Sequence, residues 1–357
     1  MTLTRTVSRP QGRWRPRSGR LPLIPLLTTG GVLLVVSMIV TVGIGAVRFS
    51  PAEVTGAVGR LLSGADPTAD PVDFIVTQLR VPRVLEATIV GAGLAAAGAI
   101  AQAIVHNPIA DPHILGLSSG AGLGAVIVLT VVGTGLVGTL TLPLAAFLGA
   151  LVTGIVVYLL ARGARGLEVT PLIMMGVAAS SLLSGVTSLL VLSGDSQGTQ
   201  NVMYWLLGSF AGAQWRLVGV SAVCVGVAGL ATLVLARKLN LMALGDESAA
   251  ALGIRPGKVR VGMFALCALM TGATVAVAGS IGFIGLVMPN LARLLVGDDY
   301  RRIVPVSMLL GALVLLWADT VARSVLAPGE IPIGVLTAFI GVPVLVVALR
   351  SRQGGLR

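Results

Sequence analysis

Apolar residues in this chain fall into long, nearly unbroken runs separated by short polar connections. The runs are at roughly 23–47, 84–105, 114–132, 140–161, 172–192, 217–236, 261–278, 281–296, 303–321 and 333–349. A helix needs about 20 apolar residues to cross a hydrocarbon core of about 30 Å, and most of these runs approach or exceed that length. Because lipid offers no hydrogen-bond partner, a spanning segment must satisfy its own backbone, and runs that do not alternate in polarity exclude a β-barrel. The pattern therefore predicts an all-α polytopic membrane protein with about ten transmembrane helices. One further apolar piece, Val202 to Ala213, is too short to cross and reads as re-entrant or interfacial.

The connections supply an orientation. Residues 1–22 carry Arg5, Arg9, Arg13, Arg15, Arg17 and Arg20 and read as a disordered basic tail ahead of a single membrane domain over 23–350. A short second tail, 351–357, follows it. With the first tail inside the cell, the inner connections also collect Arg162, Arg165, Arg237, Lys238, Arg255, Lys258, Arg260, Arg301 and Arg302. The outer ones keep only Arg48, Arg60, Arg80, Arg83, Arg216 and Arg323. That asymmetry is the positive-inside pattern, which places both termini in the cytoplasm and the chain in the cytoplasmic membrane.

Composition changes this picture little. The chain has 357 residues, 55% hydrophobic and 11% charged, with a formal charge of +11. Such a charge raises the question of nucleic acid, but the basic residues are scattered between spans with no basic face interleaved with aromatics, so no nucleic-acid partner is expected. Cys224 and Cys267 lie inside apolar runs without redox or zinc spacing. His106 and His113 flank Asp111, yet Pro108 and Pro112 break the helical spacing a metal site would need, which favours a cytoplasmic turn. No metal or cofactor is expected, and no catalytic residue: the serines within spans lack a nearby base.

Energy for transport is also missing from the chain itself. Gly257-Lys258 lacks the rest of a phosphate-binding loop. Charges in the spans are few: Glu86, three residues after Arg83; Arg293; and Asp319, four before Arg323 at ion-pair spacing. With neither a buried relay nor an ATP site, the driving force must come from another subunit. One polar stretch suits such a partner. Around Asp246, an expected N-cap, Glu247 and a run of alanines favour a short helix, and Gly253 can end it. This segment, 245–253, reads as a cytoplasmic docking helix, and Leu244 just before it with Gly245, Asp246, Glu247, Ala249, Ala250, Leu252 and Gly253 are the contact candidates. Gly116, Gly120 and Gly124 repeat every four residues along one face, and Gly282 and Gly285 open a later span. Such small residues serve either close helix packing or a translocation pathway. The spacing of Gly98, Pro108 and Gly116 recurs in Gly279, Pro289 and Gly297, a thin internal echo.

Several stretches together carry a resemblance. They are Arg80-Val81-Pro82-Arg83; Asn107-Pro108-Ile109-Ala110 with Gly116; Trp205 to Gly208; Leu239 to Gly253; Gly282 to Val287 with Arg293; Asp319 to Arg323; and Glu330 to Gly334 with Gly341 and Pro343. From about Arg80 to Leu349 the chain resembles the FecCD-type, BtuC-like permease subunits of ABC importers for ferric siderophores, haem and cobalamin. The resemblance implies two such subunits around a central pathway, identical or paralogous, with a cytosolic ATPase dimer and an extracytoplasmic substrate-binding protein. It further implies that Arg80, Arg83 and Arg323 meet acidic residues of the binding protein, that the substrate is a metal chelate, foremost a ferric siderophore, and that the chain is no enzyme. Asn290 departs from the family, which usually has His after Pro289. The rival expectation is an ion-coupled secondary transporter.

Overall fold

Each apolar run becomes a helix, and the polar connections become caps, turns, shorter helices and one small ribbon. The computed structural model describes residues 21–353 except 46, 65, 133–139, 164–165, 195 and 328. The first helix, α1 (Leu23–Gly43), is followed by α2 (Pro51–Leu62), whose start is fixed by a capping box between Ser50 and Glu53. A short α3 (Pro71–Phe74) runs through a π-helical stretch (Ile75–Arg80) into α4 (Val81–Val105) without a break. Then come α5 (Leu117–Ile127) with a π-helical extension to Val132, α6 (Thr141–Ala161), and a two-stranded ribbon of β1 (Arg162–Gly163) and β2 (Gly166–Leu167). The second half holds α7 (Val169–Ser193), α8 (Ser196–Leu207), α9 (Trp215–Met242), the short α10 (Asp246–Ala251), α11 (Pro256–Ala278), α12 (Ile284–Val296), α13 (Tyr300–Val325) and α14 (Ile333–Gln353).

Among the described residues seven helices are long and apolar enough to cross a membrane, counting 71–105 as one. Three shorter apolar helices, Leu117–Val131, Ile284–Val296 and Ile333–Val346, occupy the positions of the other expected spans. The piece expected at Val202 to Ala213 divides: its first half belongs to α8, and its second is irregular chain leading to α9.

Small residues decide how the bundle closes. α4 is rich in alanine and glycine and lies at the centre, packed by α9, α11, α12 and α13. A Cβ built on Gly98 would come within 1.8 Å of the Gly285 carbonyl oxygen on α12, and one on Gly91 within 2.2 Å of that of Gly311 on α13. These backbones touch directly, which is how helices associate where lipid removes the hydrophobic drive between them. Between α11 and α12 the chain leaves helical geometry from Gly279 to Phe283, with φ of +70° at Gly279 and +68° at Phe283. Non-helical backbone at such depth needs protein partners. Ser209 N–H donates to the Ala278 carbonyl at 3.0 Å, and His113 Nε2 to that of Ile281 at 3.4 Å.

The internal echo is partial: Gly116 and Gly297 both take positive φ, but the prolines differ. Pro108 sits in a turn after α4, whereas Pro289 lies inside α12.

Candidate coupling and docking sites

The short helix expected to dock a partner forms where its sequence places it, at the turn between α9 and α11. Its cap differs from expectation: Gly245, at φ +96°, is the N-cap, and Asp246 is the first helical residue. Freed from capping, the Asp246 carboxylate accepts a 2.6 Å hydrogen bond from Arg260. Gly253 takes the left-handed conformation, φ +81°, and Ile254 N–H reaches back to the Ala249 carbonyl at 3.1 Å, closing the helix in a Schellman pattern. Ala249 is buried against the bundle. Glu247, Ala250 and Gly253 face outward, and Leu244 and Leu252 are 63% and 60% exposed.

Arg260 holds this arrangement, a role its sequence position did not reveal. Its side chain is almost wholly buried, and its three nitrogens go to three different elements. Nε donates to the Ile104 carbonyl at the end of α4 (3.3 Å), Nη1 to that of Leu167 in β2 (2.6 Å), and Nη2 to Asp246. Nearby, His106 takes the left-handed conformation that ends α4, and its Nε2 donates to the Met242 carbonyl at 2.7 Å. The His106 and His113 segment is therefore a structural turn, and the described residues contain no cluster of three metal-ligating side chains. Buried Asn290 donates to the Pro108 carbonyl at 2.7 Å, a bond that one imidazole nitrogen could equally supply.

At the other end of α4, about 30 Å away along its axis, lies the arginine cluster. Arg80, Arg83 and Arg323 were expected at an open surface, but all three are buried. Arg80 donates to the carbonyls of Val42 (2.8 Å) and Val47, with its guanidinium carbon 4.5 Å from the centre of the Phe49 ring. Arg323 donates to the Thr41 carbonyl at 2.5 Å. These two finish the orphan carbonyls at the end of α1 and the loop after it. Arg83 is different. Its Nε lies 3.0 and 3.1 Å from the two Asp319 oxygens, and its Nη2 is 2.8 Å from Oδ1 of Asp319. Its other edge grips Glu330, with Nη1–Oε1 at 2.7 Å and Nη2–Oε2 at 2.9 Å. The hydrogen bonds from Arg83 hold the Glu330 carboxyl below its usual range. The pair is therefore fully formed at neutral pH and is lost only as pH falls through that lowered value.

The local ion pairs expected from sequence are the weak ones. Asp319 and Arg323 stand 3.5 Å apart at Nε, too far for a strong hydrogen bond. Glu86 does not pair with Arg83; it is fully buried, and neither carboxylate oxygen has a hydrogen-bond partner.

The glycine face on α5 is filled. A Cβ on Gly120 would lie 2.1 Å from Thr153 Oγ1 and 2.5 Å from the Gly149 carbonyl on α6, and one on Gly124 2.2 Å from that of Ala145. Gly116, at φ +82°, caps the start of α5 against Gly176 of α7. Gly285 meets Leu94 and Gly98. Within the subunit these four make close packing contacts, while Gly282 has nothing within 4 Å of where its Cβ would be. Open space lies instead near the Arg83 end, in a cavity of about 700 Å³ between α8, the 208–214 segment, the end of α11 and the 329–332 segment. Tyr204, Trp205, Gln214 and Glu330 are among its walls.

Comparison with known proteins finds a family and a fold that match this chain. The model of the FecCD transport family matches residues 33–351. The chain is 37% identical over 336 residues to the Fe(3+)-citrate import system permease protein YfmE of Bacillus subtilis, covering 94% of this chain and 97% of that one. It is 38% identical over 289 residues to the hemin transport system permease protein HmuU of Yersinia pestis, covering 80% and 86%. Among solved structures, an inward-facing metal-chelate type ABC transporter superposes with a TM-score of 0.80 at 32% identity, over 92% of this chain and 99% of that one.

Proposed function

The chain belongs to the FecCD transport family, and from that premise we propose that it is the membrane permease subunit of an ABC importer carrying a metal chelate, foremost a ferric siderophore. One observation in the subunit supports this reading above the others: a short helix that turns two leucines outward while a buried arginine ties it to the end of the central span. A helix of six residues is marginal alone in water. Here it is pre-ordered, with an apolar surface left for a partner. A cytosolic ATPase dimer is that partner, through Leu244 to Gly253. ATP closes the ATPases, α10 follows them, and Arg260 passes the displacement to α4 and to the β-ribbon as one unit. α4 then moves against the helices whose backbones it touches.

The rest of the assembly follows from the same premise. The subunit sits in the cytoplasmic membrane with both termini inside, beside a second permease of the same or a paralogous sequence. An extracytoplasmic binding protein docks over the arginine cluster, and Arg83 is the member that takes its carboxylate. Arg80 and Arg323 support Arg83 by fixing the α1 end beneath it. Gly282 and the cavity beside α8 mark the route by which the chelate leaves the binding protein.

The test is the energy source. In membrane vesicles supplied with the binding protein, uptake of a radiolabelled ferric chelate should stop when ATP is depleted and continue with an uncoupler while ATP is held constant. Uptake that collapses with the uncoupler at constant ATP would favour an ion-coupled carrier and remove this reading.

A further inference from the structure

We propose that Glu330 is a built-in stand-in for the partner's carboxylate: it occupies the outer edge of the Arg83 guanidinium while the permease is alone and is displaced when the binding protein docks. The inference rests on the docking role given to Arg83 above. It begins from a count of donors. A guanidinium presents five N–H groups along two carboxylate-binding edges. In Arg83 one edge is bound to Asp319 and the other to Glu330. A third carboxylate has no edge left to bind, so an acidic partner must first free one.

The two occupants are not equally replaceable. Asp319 is fully buried within α13 and also faces Arg323. Glu330 lies on the non-helical segment between α13 and α14, and its side chain is 37% exposed. Charge favours exchange over simple departure. The cluster sets three guanidiniums, Arg80, Arg83 and Arg323, against the carboxylates of Asp319 and Glu330, a balance of +1. Loss of Glu330 raises the local charge to +2, which an incoming carboxylate brings back to +1. Swapping one carboxylate for another thus keeps the buried arginine satisfied before and after docking.

The exchange also reaches the cavity. Gly329, Glu330, Ile331 and Pro332 form one of its walls. The described backbone bonds of this segment run from Ile331 N–H to the Ala322 carbonyl and from Ile333 N–H to that of Gly208, both near 3 Å. The Arg83 fork is the side-chain tie among them. Releasing Glu330 therefore removes the side-chain tie on this wall at the moment the partner arrives, which links docking to the cavity.

The experiment measures affinity of the reconstituted permease and ATPase complex for the binding protein that co-purifies with it from the native membrane. Glu330→Gln, which cannot supply an anionic competitor, should tighten binding by about fivefold, the factor that about 1 kcal/mol represents for a half-exposed ion pair. Glu330→Asp, whose shorter carboxylate reaches the fork less well, should fall between. Arg83→Gln should weaken binding whatever occupies residue 330. If Arg83→Gln weakens binding but both Glu330 variants match the native chain or bind more weakly, the stand-in is wrong and the docking role stands. If Arg83→Gln has no effect, the docking role itself fails. Should Glu330→Gln not assemble, the reaction of Arg83 with phenylglyoxal, followed by mass spectrometry in Glu330→Asp, gives the same decision: faster modification than in the native chain supports displacement, and an unchanged rate overturns it.

Discussion

Both ends of α4 are tied by a buried arginine, and the two ties differ in what they hold. Arg260 grips two backbone carbonyls and one carboxylate, whereas Arg83 grips two carboxylates. The Ile104 and Leu167 carbonyls are fixed in their elements and cannot rotate away as a side chain can, so most of the Arg260 tie is not exchangeable. A carboxylate on a connecting segment can rotate away, so the Arg83 tie can exchange partners. On the proposed function, one end transmits displacement and the other senses a visitor.

Three substitutions probe this contrast, ordered by their effect on the stability of the subunit. Arg260→Ala leaves the Ile104 and Leu167 carbonyls without their donor and should cost about 2–4 kcal/mol, since each buried acceptor left unsatisfied costs about 1–3 kcal/mol. Thermal unfolding in detergent should show a clear fall, with loss of uptake, and Arg260→Lys should recover little because one ammonium cannot span three acceptors. A stable, active Arg260→Ala would mean that α10 is held by its helical neighbours alone. Next comes Gly120→Leu, between the two ends. Its side chain has no room against Thr153 and Gly149, so it should cost roughly 1–3 kcal/mol through overpacking. The loss should appear in unfolding and in uptake together. A variant that unfolds like the native chain yet fails to transport would return this face to the pathway.

The smallest effect on stability belongs to Ala250→Arg. That position is exposed, and substitutions at such sites usually stay within about 0.5 kcal/mol. Folding and membrane insertion should be unchanged, while ATPase binding and its stimulation disappear because the new charge must enter an apolar contact. If coupling survives, the exposed leucines of this turn serve some other purpose.

The sequence exposed local features and hid distant ones. The apolar helices, the short helix at Asp246–Ala251 and the left-handed Gly253 follow from composition and spacing over a few residues, and each appears where it was expected. The exchangeable pair does not. Arg83 and Glu330 are 247 residues apart, while Glu86 stands three residues from Arg83 and offered a nearer but mistaken partner. Arg260 was counted as a topological charge, since nothing in its neighbours announces that carbonyls of α4 and β2 converge on it. The Gly116, Gly120 and Gly124 face was legible as small, but only the position of α6 decides that it is filled.

The Arg83–Asp319 bond also sets a timetable for the newborn chain. Asp319 follows Arg83 by 236 residues, so at a synthesis rate of about 5–20 residues per second the arginine waits roughly 10 to 50 s for its counter-ion. During that interval α4 carries an unpaired cation in the membrane, and the helices that will enclose it are still being made. Ribosome stalling before α13 would leave a fragment in which this arginine has no carboxylate from α13.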